Sequence, residues 1–184
     1  METTMRIRYR LITSLLLVPC ALALLSFPLA AHAVGPKGDV YLGFSRLGTD
    51  VYYPNVGGLN GWQAAVHVGV KPFVGIEGDF SQFGLGANSA IPRTAAFMGG
   101  PRVTVGALGF RAFAHALGGI EHSANSSGVP ISGNAVSYAL GGGVEARIAP
   151  FFAWRVTGDY LGAPTLTPST STHYRIGTGL VFRF

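Results

Sequence analysis

The sequence predicts an all-β protein, an eight-stranded antiparallel up-and-down transmembrane β-barrel that follows a cleaved N-terminal signal peptide. Three observations support this prediction. Charged residues make up only 11% of the 184 residues, whereas a soluble domain has about a quarter. After the N-terminal segment, no apolar run approaches the ~20 residues of a membrane-spanning helix. Eight later segments alternate apolar and polar side chains with a two-residue period, which is typical of strands that have one face in lipid.

The N-terminus has the three regions of a secretory signal. Three arginines within residues 6–10 form a cationic start, residues 11–25 form an apolar core, and Ala31-His32-Ala33 is a small-x-small cleavage site. Cleavage there would divide the chain into a signal peptide, residues 1–33, and a barrel domain, residues 34–184. A retained anchor is the alternative. The only cysteine, Cys20, lies inside the signal, so we expect no disulfide in the mature chain.

The charge of the chain does not indicate a nucleic-acid partner. The formal net charge is +5, but the signal holds three arginines and Glu2. Without these, ten Lys and Arg stand against seven Asp and Glu. The remaining basic residues are spread one or two per strand, whereas a nucleic-acid site clusters them.

The first four strands are predicted at about residues 39–46, 61–71, 73–82 and 93–103. The residues predicted to face the lipid are, strand by strand, Val40, Leu42 and Phe44; Trp62, Ala64, Val66, Val68 and Val70; Val74, Ile76, Gly78 and Phe80; and Ala95, Phe97, Gly99, Pro101 and Val103. Proline has no N–H for the ladder, so Pro101 predicts a bulge or an early end in the fourth strand.

The last four strands are predicted at about residues 108–122, 135–148, 151–161 and 172–184. The residues predicted to face outward are, strand by strand, Ala112, Ala114, Ala116 and Gly118; Val136, Tyr138, Leu140, Val144 and Ala146; Phe152, Trp154, Val156 and Tyr160; and Tyr174, Ile176, Thr178, Leu180, Phe182 and Phe184. The final strand ends on an aromatic residue with no polar tail. An open sheet edge of this kind would aggregate, so we expect the sheet to close.

Short and long connections alternate. The predicted short turns are Lys71-Pro72, residues 104–107 and Ala149-Pro150. The predicted long loops, at about 47–60, 83–93, 123–134 and 162–172, are rich in Gly, Asn, Ser, Thr and Pro. This alternation is typical of membrane barrels with periplasmic turns and external loops.

Most strand charges share the phase opposite the apolar stripe, which is the reverse of a soluble barrel. The predicted lumen charges are Asp39, Lys71, Glu77, Asp79, Arg102, Arg111, Glu121, Glu145, Arg147, Arg155, Asp159, Arg175 and Arg183. The near balance of carboxylates and cations predicts a salt-bridged interior, because an isolated buried charge is costly. Aromatic residues near strand ends predict interfacial girdles: Trp62, Phe80, Phe152, Trp154, Tyr160, Tyr174 and Phe184.

The eight-strand plan, the signal and the last strand ending at Phe184 resemble the outer-membrane protein A-like β-barrel family over residues 34–184. The resemblance implies a bacterial outer-membrane location and contact with outer-membrane lipid and lipopolysaccharide. It also implies assembly by the barrel-assembly machinery, whose signal Tyr174, Leu180, Phe182 and Phe184 match. We expect no cofactor. Because the sequence ends with the eighth strand, we expect no peptidoglycan-binding domain after the barrel.

The sequence is compatible with three hypotheses for the function. The favoured one is a structural, membrane-integrity or surface-interaction role through the loops, with an unidentified loop ligand. A narrow pore for small solutes or ions is the alternative, because lumen glycines leave space; the same glycines also permit barrel curvature. These glycines are Gly43, Gly69, Gly75, Gly141, Gly143, Gly177 and Gly179.

A lipid-modifying enzyme is the third hypothesis, based on Glu121, His122 and Ser123 at the loop end of the fifth strand. Adjacent strand residues point to opposite faces, so these three do not converge, and we expect no catalytic residue. His67 and His115 share the lumen phase. Without a clear third ligand they predict hydrogen-bonded lumen residues, and no metal site is expected.

Overall fold

A computed structural model of the chain describes residues 38–48, 58–84, 93–124, 133–163 and 171–184. They contain eight strands: β1 (Gly38–Gly48), β2 (Leu59–Gly69), β3 (Val74–Phe83), β4 (Arg93–Ala107), β5 (Phe110–Ala124), β6 (Gly133–Arg147), β7 (Phe152–Ala163) and β8 (Ser171–Arg183). Each strand pairs with the next, and β8 pairs antiparallel with β1, so the sheet closes into a barrel. The predicted fold class is confirmed. The predicted signal peptide, residues 1–33, lies outside the described residues.

Side chains alternate between the interior and the outer surface, as the two-residue period predicts. On β1, for example, Tyr41 and Ser45 are buried inside, whereas Leu42 and Phe44 are exposed. Large apolar residues cover the outer surface on all eight strands. In water such a surface would far exceed the apolar patches of a soluble monomer, so it fits a lipid environment. Among the described residues no helix is long and apolar enough to cross a membrane.

The C-terminal strand is the strand that closes the barrel. Backbone hydrogen bonds join β8 to β1 up to the end of the chain, where the Gly38 N–H donates to the Phe184 carbonyl (3.2 Å) and the Phe184 N–H donates to the Gly38 carbonyl (3.1 Å). The aromatic terminus therefore leaves no free sheet edge, which removes the aggregation hazard of such a strand.

The two ends of the barrel differ in their connections. Residues 70–73, 108–109 and 148–151 join strands at one end, which we name the short-turn side. They include the predicted Lys71-Pro72 and Ala149-Pro150 turns. The connections at the opposite end, the loop side, lie mostly outside the described residues. The predicted surface loops are therefore not described beyond their strand ends.

The third short turn lies later than the sequence predicts. Residues 104–107 continue β4, and the turn is Leu108-Gly109, with positive φ angles of 53° and 87°. Two successive positive φ angles are typical of a two-residue type I′ hairpin.

Pro101 neither ends β4 nor introduces a bulge, in contrast to the prediction. Pro101 faces outward and lies opposite Ile76 of β3. On the β5 side, the pairs Gly99–Gly118 and Arg102–His115 keep one register on either side of it. Proline has no backbone N–H to donate. The strand tolerates this loss because the residues on either side of Pro101 remain paired with the neighbouring strands.

Candidate functional site

The interior contains a connected set of charged side chains, of which Glu145 on β6 is the most heavily bonded. Its Oε1 accepts hydrogen bonds from Arg102 Nη2 (2.7 Å) and Arg155 Nη2 (2.7 Å), and its Oε2 accepts one from Arg183 Nη2 (2.7 Å). Arg155 also donates to Asp39 Oδ1 at 2.8 Å. One carboxylate thus joins three arginines from three strands.

A second cluster surrounds Arg175 of β8. Its Nε donates to Asp159 Oδ2 (2.7 Å), and its Nη1 donates to Asp79 Oδ1 (2.7 Å) and Ser81 Oγ (3.1 Å). The Gln63 amide donates to the other oxygen of Asp79. Each charged group in this cluster therefore has a partner, as a buried charge requires.

His115 on β5 joins the two clusters. Its Nδ1 lies 2.9 Å from Glu77 Oε1, and its Nε2 lies 2.9 Å from Asp159 Oδ1. Carboxylate oxygens accept hydrogen bonds, so both contacts are hydrogen bonds only when the imidazole carries a proton on each nitrogen. Glu77 in turn accepts a hydrogen bond from Arg102 Nη1 at 2.8 Å. Together with Glu77, the two clusters contain five carboxylates and four arginines. A protonated His115 would therefore supply the fifth positive charge.

We name this set the ionic network. It comprises Asp39, His67, Glu77, Asp79, Arg102, His115, Glu145, Arg155, Asp159, Arg175 and Arg183, and it draws at least one residue from each of the eight strands. Apart from His67, these residues are all buried. The network therefore crosslinks the inside of the barrel independently of the backbone ladder.

Aromatic rings fill the spaces beside the guanidinium groups. Arg102 Cζ lies 3.9 Å from the centre of the Phe113 ring, and Arg155 Cζ lies 4.7 Å from the centre of the Tyr41 ring. Both rings are inside the barrel and buried. Arginine stacks well on aromatic faces because it is planar and weakly hydrated.

On the loop side of the network the interior is mainly apolar. The contacting buried residues there are Leu47, Leu59, Phe83, Ala96, Met98, Leu117, Ala139 and Leu161, which we name the apolar plug. Leu117 lies two residues beyond His115 on β5, and Leu161 two beyond Asp159 on β7. The barrel interior thus has an ionic layer toward the short turns, which also contains the hydrophobic residues Tyr41, Ala65, Ala153 and Val181, and a mainly apolar layer toward the loops, which also contains Ser45, Thr94 and Ser137.

Several of the lumen glycines that suggest a pore lie against neighbouring side chains. A Cβ on Gly143 would lie 3.0 Å from the Phe113 ring, one on Gly43 would overlap the Tyr41 ring, and one on Gly75 would overlap the His67 imidazole. These glycines therefore make room for large interior residues, and the space they leave is occupied.

The thirteen predicted lumen charges fall into three groups. Asp39, Glu77, Asp79, Arg102, Glu145, Arg155, Asp159, Arg175 and Arg183 belong to the ionic network. Arg111 and Glu121 face inward near opposite ends and are half-buried. Lys71 is exposed in a turn, which corrects its placement in the lumen, whereas Arg147 is exposed at the strand end but lies opposite the buried Ala153, on the face of Glu145. Lys71 lies in a turn because Pro72 follows it and β2 ends at Gly69, and Arg147 is the last residue of β6.

The predicted girdle residues all lie on the outer surface. Trp62 packs against Phe80 and Tyr160 against Tyr174 toward the loop side, with ring centres 5.2 and 5.8 Å apart. Phe152, Trp154 and Phe184 lie toward the short-turn side. The proposed assembly-signal residues Tyr174, Leu180, Phe182 and Phe184 face outward on or directly after β8.

The remaining candidate sites do not assemble. Glu121 points inward and His122 outward, where His122 Nδ1 lies 2.7 Å from Asn134 Oδ1. His67 contacts Asp39 at 3.1 Å, and His115 is held between two carboxylates. In the described part of the chain, no group of three His, Cys, Asp or Glu side chains is placed to hold a metal ion.

The chain is similar to several solved structures, including the three that follow. Neisserial surface protein A has 10% sequence identity and a TM-score of 0.65, over 80% of this chain and 97% of its own. Ail, the attachment invasion locus protein of Yersinia pestis, has 19% identity and a TM-score of 0.54, over 81% of this chain and 100% of its own. The N-terminal β-barrel domain of Pseudomonas aeruginosa OprF has 12% identity and a TM-score of 0.54, over 82% and 99%.

This is the fold of an eight-stranded outer-membrane β-barrel. No protein-family model matches the chain, and no curated protein matches it. At such low identities the likeness to outer-membrane barrels establishes the fold, and function has to be argued from the residues.

Proposed function

We propose that this protein is an outer-membrane barrel with a closed interior, which holds its loops at the cell surface for a structural or surface-interaction role. The observation that carries the proposal is the filled interior, in which the ionic network and the apolar plug occupy successive layers. A water path through the barrel would have to cross both. Glycines such as Gly43 and Gly143, which suggest a pore in the sequence, adjoin large side chains instead.

The chemistry of the two layers supports the same proposal. A pore lining needs polar groups that exchange their partners with water or solute, whereas each network arginine is engaged by carboxylates. The described residues of the apolar plug have no polar side chain that could bind a solute. A rigid, closed barrel is suited to positioning loops on a membrane surface. Two of the similar proteins are named for the cell surface and for attachment, which is consistent with such a role here.

The proposal also includes the outer-membrane location, contact with outer-membrane lipid and lipopolysaccharide, and assembly by the barrel-assembly machinery. The outer apolar surface and the outward aromatic residues of β8, including Phe182 and Phe184, support these partners. Enzymatic activity is not proposed, because Glu121 and His122 point to opposite faces.

Cysteine labelling on whole cells tests location and orientation. The only native cysteine, Cys20, lies in the predicted signal. We expect a membrane-impermeant maleimide to label Ser89→Cys and Ser127→Cys on intact cells. Lys71→Cys, at a short turn, should be labelled only after the outer membrane is opened. Labelling of Lys71→Cys alone on intact cells would overturn the proposed orientation, and absence of labelling at all three positions would overturn the surface location.

A further inference from the structure

Three buried oxygen atoms of the ionic layer have no hydrogen-bond partner among the described residues. They are the hydroxyl oxygen of Tyr41 on β1, Oε1 of Gln63 on β2 and Oγ1 of Thr157 on β7. All three residues are at most 3% exposed. Buried polar atoms in folded proteins nearly always have a partner, either in the protein or in an ordered water molecule. These three oxygens therefore require a partner that the side chains around them do not supply.

The three oxygens converge over Gly177 of β8. A Cβ on this glycine would lie 2.8 Å from Thr157 Oγ1, 2.9 Å from Gln63 Oε1 and 3.2 Å from the Tyr41 hydroxyl oxygen. Atoms so close to one point surround a single small volume, yet none of the three bonds to another. Gly177 has no side chain to fill this volume. The volume is therefore lined by oxygen on three sides, and only a small polar molecule can occupy it.

The hydrogen-bond chemistry identifies the occupant. The Gln63 amide nitrogen donates to Asp79 Oδ2. A carboxylate oxygen only accepts, so the orientation of the amide is fixed and Gln63 Oε1 has to accept from the other side. The hydroxyl groups of Tyr41 and Thr157 can each donate or accept. The occupant must therefore donate toward Gln63 and can do either toward the two hydroxyls. Water meets this requirement with three hydrogen bonds, the usual number for a buried water molecule.

We propose that a single water molecule is bound over Gly177 by hydrogen bonds to Tyr41, Gln63 and Thr157. The water donates to Gln63 Oε1 and to one hydroxyl, and it accepts from the other hydroxyl. Its partners belong to β1, β2 and β7, and Gly177 beneath it belongs to β8. The water thus bridges the seam where β8 closes on β1. The site goes beyond the proposed function, because it concerns the interior and does not depend on what the loops contact.

A crystal structure of the refolded full barrel, at a resolution that shows ordered water, tests the proposal directly. We expect one water peak at hydrogen-bond distance, about 2.5–3.2 Å, from all three oxygens. The double variant Tyr41→Phe/Thr157→Val removes two of the three partners at nearly unchanged volume, so the peak should be lost. The matched control Ser137→Ala removes another buried interior hydroxyl, on β6, and should keep the peak.

Several outcomes would overturn the proposal. One is a wild-type map with no peak over Gly177, and another is a direct hydrogen bond between any two of the three oxygens. A peak with the short and more numerous contacts of a metal ion would also overturn it. A peak that persists in Tyr41→Phe/Thr157→Val would show that other groups hold the molecule. Because the wild-type map alone decides the first three outcomes, the test does not depend on whether the double variant folds.

Discussion

The two layers of the interior fill the same barrel by different means. The ionic layer is held by directed hydrogen bonds, such as those from three arginines to Glu145. The apolar plug is held by packing of residues such as Phe83, Met98 and Leu161. Directed bonds depend on the identity of each partner, whereas apolar packing depends mainly on volume. We therefore expect near-isosteric substitutions to be costly in the ionic layer and tolerated in the plug.

Glu145→Gln should have a larger effect than any of the other three substitutions below. The side chain keeps its shape but loses the charge that Arg102, Arg155 and Arg183 share, so buried cations lose their counterion. We expect a loss of about 3–5 kcal/mol in the free energy of unfolding, measured by urea titration in detergent micelles. An unfolding midpoint equal to that of the wild type would show that the network does not stabilise the barrel.

Leu180→Arg tests the assignment of the outer face. Leu180 lies between the outward aromatic residues Tyr174 and Phe184 on the last strand, so it is near the middle of the apolar band. A cation there should cost about 2–4 kcal/mol on refolding into vesicles. The same substitution should be much less harmful in a detergent that does not impose a fixed bilayer thickness. No loss in vesicles would mean that this face does not contact lipid.

Met98→Leu tests the plug side of the comparison. The substitution conserves apolar volume at a fully buried position, so we expect a cost below about 1.5 kcal/mol in the same urea titration. A loss as large as that of Glu145→Gln would contradict the distinction between the two layers.

Lys71→Gln should have the smallest effect, within about 0.5 kcal/mol, because Lys71 is exposed and has no partner in the described residues. It serves as the exposed-charge control for the buried charge that Glu145→Gln removes. A large effect on unfolding in micelles would show that Lys71 contributes to the interior charge balance after all.

The sequence predicts which face each residue occupies, because a closed sheet has one inside and one outside and the period is two. This period alone assigns Glu145, Arg155 and Arg175 to the interior. The ion pairs are not predictable in the same way. Arg155 of β7 reaches Asp39 of β1, and Arg175 of β8 reaches Asp79 of β3, so the partners depend on the register and closure of the whole barrel.

Three residues of the apolar plug are missed because they lie outside the predicted strands. Leu47, Leu59 and Phe83 are the last or first inward residues at the loop side, and the predicted strands end one or two residues short of them. Weak alternation at strand ends next to Gly- and Asn-rich segments makes such ends hard to locate. Lys71 shows the converse error, since the alternation places it in the lumen although β2 ends at Gly69.

Single-channel recording in planar bilayers tests the closed interior most directly. The refolded mature barrel should insert, shown by heat-modifiable migration in the same preparation, and should give no discrete current steps above a heat-unfolded control. Reproducible, salt-dependent openings of the inserted barrel would contradict the closed interior, because ions would then cross both the ionic network and the apolar plug.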